Sequence, residues 1–216
     1  LMEEAGVPAG VVNVVPSRRS SEVVPAMLDD PRVRKLSFTG STEVGRTLLE
    51  QASKRIISTS MELGGNAPFL VFEDADIDAA VDGAMVAKMR NGGQSCIAAN
   101  RFLVHEAVAD SFAEKFAARM RAVKVGPGMD PGVDLGPLIN ESAQEDMAES
   151  VELATGAGGD VLAGGKAPDR PGFFFEPTVL AGVPADAEGL GREIFGPVAP
   201  IVTFGSEEEA VAMAND

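Results

Sequence analysis

Residues 33–38 read as a strand that runs into Thr39-Gly40-Ser41-Thr42-Glu43-Val44-Gly45, and a helical pattern follows through about Ser53. This strand, Gly/Ser turn and helix constrain the chain more than any other feature. A strand that hands over to a helix across a short glycine turn belongs to a parallel sheet, because parallel neighbours need a crossover between them. The turn is also a natural anion site, since free N–H groups and the helix dipole point out of the helix start.

The same alternation continues along the chain. Residues 11–15, a β-branched run stopped by Pro16, read as a strand, as do residues 56–61 and 69–72. Ile77, Ala80, Val81, Ala84 and Met85 fall on one helical face. Residues 101–104 predict a strand, 107–123 a long amphipathic helix, and 140–155 another helix closed by Gly156. Short strands are expected at 160–162, 174–180 and 198–204, and the chain stops inside a further helical pattern. The expected class is α/β, with open, mostly parallel sheets and flanking helices.

At 216 residues and 45% hydrophobic content, the chain can bury a sizeable core in one large or two small domains. Its net charge of −15 argues against nucleic acid or an anionic membrane as partner. Residues 1–63 carry eight basic and eight acidic side chains, whereas 64–216 carry ten and 25, so a boundary is expected near Gly64-Gly65. No apolar run approaches the ~20 residues of a membrane span, and the start lacks a signal-peptide pattern. Both ends read as cuts within a longer protein. One cysteine and one histidine, Cys96 and His105, exclude an internal disulfide, argue against a zinc site and suit a reducing cytoplasm. Asp74-Ala75-Asp76-Ile77-Asp78 fails as a calcium loop, because Ala79 and Met85 stand where Gly and Glu are required. It reads instead as a capped helix start.

Two segments could carry chemistry. Asn91-Gly92-Gly93-Gln94-Ser95-Cys96 is a polar, glycine-rich loop after a helix, a poor place to bury a core thiol and a suitable one for a nucleophile. Glu62 sits between a strand and Gly64-Gly65, where a carboxylate can act as a general base. Without that context a lone cysteine is more often a small core residue, and a strand-end Glu such as Glu62 is more often a solvated charge.

Together these segments resemble the NAD(P)-dependent aldehyde dehydrogenase superfamily. The resemblance rests on Phe38-Thr39-Gly40-Ser41-Thr42-Glu43-Val44-Gly45-Arg46, Met61-Glu62-Leu63-Gly64-Gly65-Asn66-Ala67-Pro68, Gly92-Gly93-Gln94-Ser95-Cys96, Gly136-Pro137-Leu138-Ile139 and Glu193-Ile194-Phe195-Gly196-Pro197, in the family's order and spacing. Lys88-Met89-Arg90-Asn91 and Phe195-Gly196-Pro197-Val198-Ala199-Pro200 are most similar to the succinate-semialdehyde dehydrogenases. The resemblance implies that residues 1–63 are the C-terminal half of a dinucleotide-binding domain. Residues 64–216 would then be most of the catalytic domain.

The resemblance also implies roles. Cys96 would attack the aldehyde, hydride would pass to NAD or NADP, and Glu62 would activate the water that hydrolyses the thioester. The Cys96 N–H would serve the oxyanion. Gly40, Ser41, Gly45 and Leu63 would lie along the cofactor, Glu193 would hold the nicotinamide ribose, and Phe195 would pack near that ring. Arg90 would take the distal carboxylate of the substrate, or else be a helix-end charge. No metal is implied, and full-length relatives form homodimers or homotetramers. Pro16-Ser17-Arg18-Arg19-Ser20-Ser21 departs from the family's glycines near the cofactor. Ala98 stands where some relatives have a second cysteine, so no thiol switch is expected. The 216 residues alone are expected to be inactive, since relatives are about twice as long. Glutarate semialdehyde or an uncharged aldehyde, and a non-catalytic relative, are the alternatives.

Overall fold

A computed structural model describes all 216 residues, which divide into two compact units, Leu1–Gly64 and Gly65–Asp216. In the first unit, helix α1 (Ser20–Asp29) precedes strand β1 (Lys35–Gly40), helix α2 (Thr42–Ser53) and strand β2 (Ser58–Leu63). β1 and β2 pair in parallel, with Thr39 opposite Glu62 and Gly40 opposite Leu63. α2 is the crossover between them, and Leu48 and Ala52 on it are buried. The Arg55 guanidinium donates to the Leu28 carbonyl at 2.8 Å and to the Asp30 carbonyl, which ties down the end of α1.

Two strand expectations change in this unit, and a helix without an expectation is added. Residues 11–15 form no strand, and Val11, Val12, Val14 and Val15 are exposed. A β-branched run becomes a strand only when a neighbour completes its ladder, and no segment of the chain pairs with this one. β2 starts at Ser58 rather than Ile56, because Ile56 and Ile57 cap α2 by donating to the Ser53 and Ala52 carbonyls at 3.2 and 3.1 Å. Helix α1 has no counterpart in the sequence reading, since Pro25 stands inside it.

The second unit holds strand β3 (Ala67–Val71), helix α3 (Ile77–Met89), strand β4 (Ala99–His105) and helix α4 (Glu106–Ala122). Helix α5 (Glu141–Gly156), strands β5 (Asp160–Ala163), β6 (Thr178–Ala181) and β7 (Val198–Phe204), and helix α6 (Glu207–Ala214) follow. The sheet order is β3-β4-β7-β6-β5, and only β5 runs antiparallel to its neighbour. The expected strand at 174–180 begins only at Thr178. The Glu176 N–H goes to the Lys166 carbonyl, and Pro177 has no N–H to offer a ladder.

Both faces of this sheet are covered. Phe102 and Val104 of β4 join Phe112, Phe116 and Met120 of α4 on one side. Leu103 joins Met147 and Val151 of α5, Phe175 and Phe204 on the other. A parallel strand buried on both faces reads as a continuous apolar run, as in Phe102-Leu103-Val104. Asp76 caps α3 by accepting from the Asp78 and Ala79 amides, so the Asp-rich stretch serves a helix start. His105 ends β4 and caps α4 through Nδ1, which accepts from the Ala107 amide. No helix is long and apolar enough to cross a membrane.

Candidate active site

The loop between α3 and β4 is built from backbone geometry that few residues tolerate. Asn91, Gly92 and Gly93 have φ of +52°, +63° and +77°, a left-handed run that glycine accommodates without a Cβ clash. The Asn91 side chain braces the turn by donating to the Gln94 carbonyl at 2.8 Å. The chain then makes a β-turn closed by the Ala98 amide on the Ser95 carbonyl at 3.0 Å. Cys96 is the second residue of that turn, and its thiol is exposed.

Neighbouring segments hold this loop. A Cβ on Gly93 would overlap the Gly196 carbonyl, and a Cβ on Gly196 would overlap the Met147 thioether. Backbone therefore packs on backbone between the cysteine loop and the Glu193-Ile194-Phe195-Gly196-Pro197 segment. The Gln94 side-chain oxygen accepts from the Ile139 amide at 3.1 Å, which docks Gly136-Pro137-Leu138-Ile139 on the same loop. Glu193 is half-buried and accepts from the Gly65 amide at 3.4 Å. Phe195, two residues on, is 43% exposed. Arg90 is exposed at the end of α3 and forms no ion pair with any carboxylate. A cavity of about 480 Å³ lies beside Asn66, Arg101 and Leu190, away from Cys96.

The sequence-derived site residues fall into two groups, one in each unit. Arg90, Cys96, Glu193 and Phe195 belong to Gly65–Asp216. Gly40, Ser41, Gly45, Glu62 and Leu63 belong to Leu1–Gly64, and the structure gathers them at the C-terminal ends of β1 and β2. There the Ser41 hydroxyl accepts from the Val44 amide at 3.4 Å, which caps α2. A Cβ on Gly45 would overlap the Leu63 side chain, so this glycine lets α2 lie close on β2. Glu62 is exposed near the end of β2.

Two buried polar residues, Lys88 and Asn100, and the half-buried Asn66 bind these segments together and escape the sequence reading. Lys88 is fully buried, and its Nζ donates to the Ile194 carbonyl at 3.2 Å. Asn100 donates to the Gly65 carbonyl at 2.9 Å, and Asn66 to the Leu190 carbonyl at 2.7 Å. Lys88 carries a signal that helical arithmetic could have found. It lies four residues past Ala84, on the same buried face as Val81.

Across its whole length, residues 1–216, the chain matches the aldehyde dehydrogenase family, and it belongs to that family. It is 56% identical over 214 residues to a succinate-semialdehyde dehydrogenase of Paenarthrobacter nicotinovorans, covering 99% of this chain and 48% of the relative. It is 49% identical to a glutarate-semialdehyde dehydrogenase of Pseudomonas putida, covering 100% of this chain and 44% of the relative. The crystal structure of a succinate-semialdehyde dehydrogenase from Burkholderia pseudomallei superposes with a TM-score of 0.95 at 50% identity, over 99% of this chain and 44% of that one. The chain thus spans about half the length of the relatives it matches.

Proposed function

We propose that this chain is the nucleophile-bearing part of an NAD(P)-dependent aldehyde dehydrogenase whose aldehyde carries a distal carboxylate, succinate semialdehyde first. The observation that carries the reading is one loop holding both an exposed thiol, Cys96, and an exposed guanidinium without a carboxylate partner, Arg90. A guanidinium takes a carboxylate through two parallel N–H bonds, which suits a substrate with an acid at its far end. We infer that Leu1–Gly64 is half of the cofactor domain and Gly65–Asp216 most of the catalytic domain. The full-length protein would be a homodimer or homotetramer.

The donor set suits a dinucleotide. The Thr42 and Glu43 amides of α2 have no acceptor in the protein and follow directly on Gly40 and Ser41, as a pyrophosphate requires, while the Val44 amide is taken by the Ser41 hydroxyl. The half-buried Glu193 carboxylate can accept from ribose hydroxyls, and the partly exposed Phe195 ring can cover an aromatic base. When bound, the nicotinamide supplies the hydride acceptor.

The chain's own residues perform the remaining steps. The Cys96 thiolate adds to the aldehyde carbon and forms a thiohemiacetal. The developing oxyanion accepts from the Cys96 N–H, which has no acceptor in the protein. Once hydride has left, Cys96 holds the acyl group as a thioester. Glu62 takes a proton from the water that attacks it, the collapse releases the acid and the Cys96 thiolate, and Glu62 then passes its proton to solvent.

The test is reduced-cofactor formation by the full-length protein with succinate semialdehyde, glutarate semialdehyde and butyraldehyde, each with NAD and NADP. The two carboxylated aldehydes are expected to be preferred. Arg90→Ala should lower their kcat/KM by about 10- to 100-fold, the loss of a charged hydrogen bond, and leave butyraldehyde nearly unchanged. Equal rates for all three would return Arg90 to a helix-end charge. No reduction with any pair would sink the dehydrogenase reading.

A further inference from the structure

We propose that Lys88 is a positioning residue that sets the Glu193 carboxylate for the cofactor ribose, an inference that rests on the dehydrogenase reading above. Lys88 has no exposed surface and lies among the apolar residues of α3 that face the core. Its ammonium reaches one acceptor, the Ile194 carbonyl at 3.2 Å. Ile194 directly follows Glu193, whose carboxylate attracts the Lys88 ammonium without forming an ion pair with it. On its other side Glu193 accepts from the Gly65 amide. Lys88 thus fixes the peptide that follows Glu193, while the Gly65 amide holds the Glu193 carboxylate from another segment.

Energetics distinguish this from a packing role. Burying an ammonium with a single acceptor is unfavourable, and a methionine, one atom shorter, would fill most of the space without that penalty. Burial pushes the Lys88 ammonium down to about 7, and Glu193 pulls in the opposite sense without offsetting it. A group that weakens the fold in this way is explained by what it holds. Lys88 also lies two residues before Arg90 and eight before Cys96. The same end of α3 thus fixes Glu193 and launches the cysteine loop.

The experiment is calorimetric titration of NAD and NADP into the full-length protein, as wild type, Lys88→Met, Glu193→Gln and the double variant. Lys88→Met is expected to weaken cofactor binding about tenfold, the loss of one charge-assisted contact. The KM for the aldehyde should change less than the KM for cofactor, and the thermal midpoint should not fall. In the Glu193→Gln background Lys88→Met should add nothing, because the two act as one unit. Lys88→Gln removes the charge and falls one bond short of the Ile194 carbonyl. It is expected to lose affinity in the same way, and it serves if the methionine variant does not fold. Wild-type affinity in both variants overturns the proposal. Losses that multiply with that of Glu193→Gln also overturn it, by showing that Lys88 supports the segment through packing alone. A wild-type protein that binds neither cofactor overturns the dehydrogenase reading itself.

Discussion

The two units are held by different means. In Leu1–Gly64 the buried apolar side chains are Leu28, Leu48 and Ala52. That unit leans on one parallel strand pair, the Arg55 staple on α1, and the Asp30–Arg32 ion pair at 2.7 Å. The Arg32 guanidinium beside Asp30 holds that carboxyl well below the usual carboxylate range, but the pair is open to solvent. In Gly65–Asp216 a five-stranded sheet is covered on both faces, with seven phenylalanines in its aromatic contacts and buried clusters. A two-stranded pair is marginal without further cover, whereas a sheet with two apolar faces forms a core of its own. The second unit is therefore where the molecule can absorb a costly feature. The buried cation lies in the unit with apolar surface to spare.

The largest expected effect tests that statement through pH. Lys88 titrates near 7 in the folded chain and near 10.5 when unfolded. Below the folded value both states hold the proton, and the full penalty of burying it is present. Between the two values the unfolded chain binds a proton that the folded chain does not, so stability rises with pH. Above the unfolded value the penalty is gone. The stability difference between Lys88→Met and wild type should therefore shrink from about pH 6 to about pH 10.5, by about 5 kcal/mol at most. Denaturant unfolding of both proteins across that range measures it. A difference that stays flat would mean that the ammonium is hydrated and that the second unit bears no such load.

Next in size is core truncation. Phe102 has no exposed surface and stacks against Phe69, Phe112 and Phe116 at centroid distances of 5.5, 6.5 and 5.1 Å. Phe102→Ala should cost about 3–5 kcal/mol, because the surrounding rings cannot close the cavity. Leu48, 8% exposed on α2, is the matching test in the first unit, and Leu48→Ala should cost about 2 kcal/mol. Thermal unfolding, with amide exchange to locate the loss in each unit, decides the ranking. Equal costs would break the contrast.

Legibility in the sequence follows the same division. Elements of the second unit were readable within a few residues because local signals agree. Phe102-Leu103-Val104 has the continuous apolar pattern of a strand buried on both faces, and Asp76 and Asn140 mark helix starts that the structure shows. Residues 11–15 misled, because the β-branched pattern says nothing about whether a neighbour completes the ladder. Pro25 hid α1, since a proline is read as a breaker even where a helix continues through it. The sequence offers candidate site residues, but their packing against one another is not legible in it. Nothing in the spacing places Gly93 on Gly196 or Gln94 on Ile139, which are contacts across about a hundred and about forty-five residues. Lys88 was legible by periodicity and passed over, because a lysine among apolar positions is usually assigned to solvent.

The smallest effect compares one device used at the ends of two helices. Helix α5 ends with the Gly158 amide on the Thr155 carbonyl at 3.0 Å and the Gly159 amide on the Ala154 carbonyl at 2.9 Å. Helix α2 ends with the same pair of bonds, from Ile56 to Ser53 and from Ile57 to Ala52. Both are Schellman caps, and both need a left-handed residue at the reversal. The second unit uses glycine there, Gly158 at φ +108°, while the first uses a β-branched residue, Ile56 at φ +55°. No atom lies within 4 Å of a Cβ on Gly158, so Gly158→Ala isolates the backbone penalty and should cost about 1–2 kcal/mol. Ile56 is 93% exposed, so removing its side chain sacrifices almost no burial. Ile56→Gly should therefore stabilise the first unit, by about 0.5–1 kcal/mol after the added freedom of the unfolded glycine is counted. Ile56→Asn should do the same with less of that entropic loss, since asparagine tolerates the left-handed region. Thermal midpoints of the three variants measure both ends of the comparison. A loss of stability in Ile56→Gly would mean that the exposed isoleucine makes a contact that outweighs its strain.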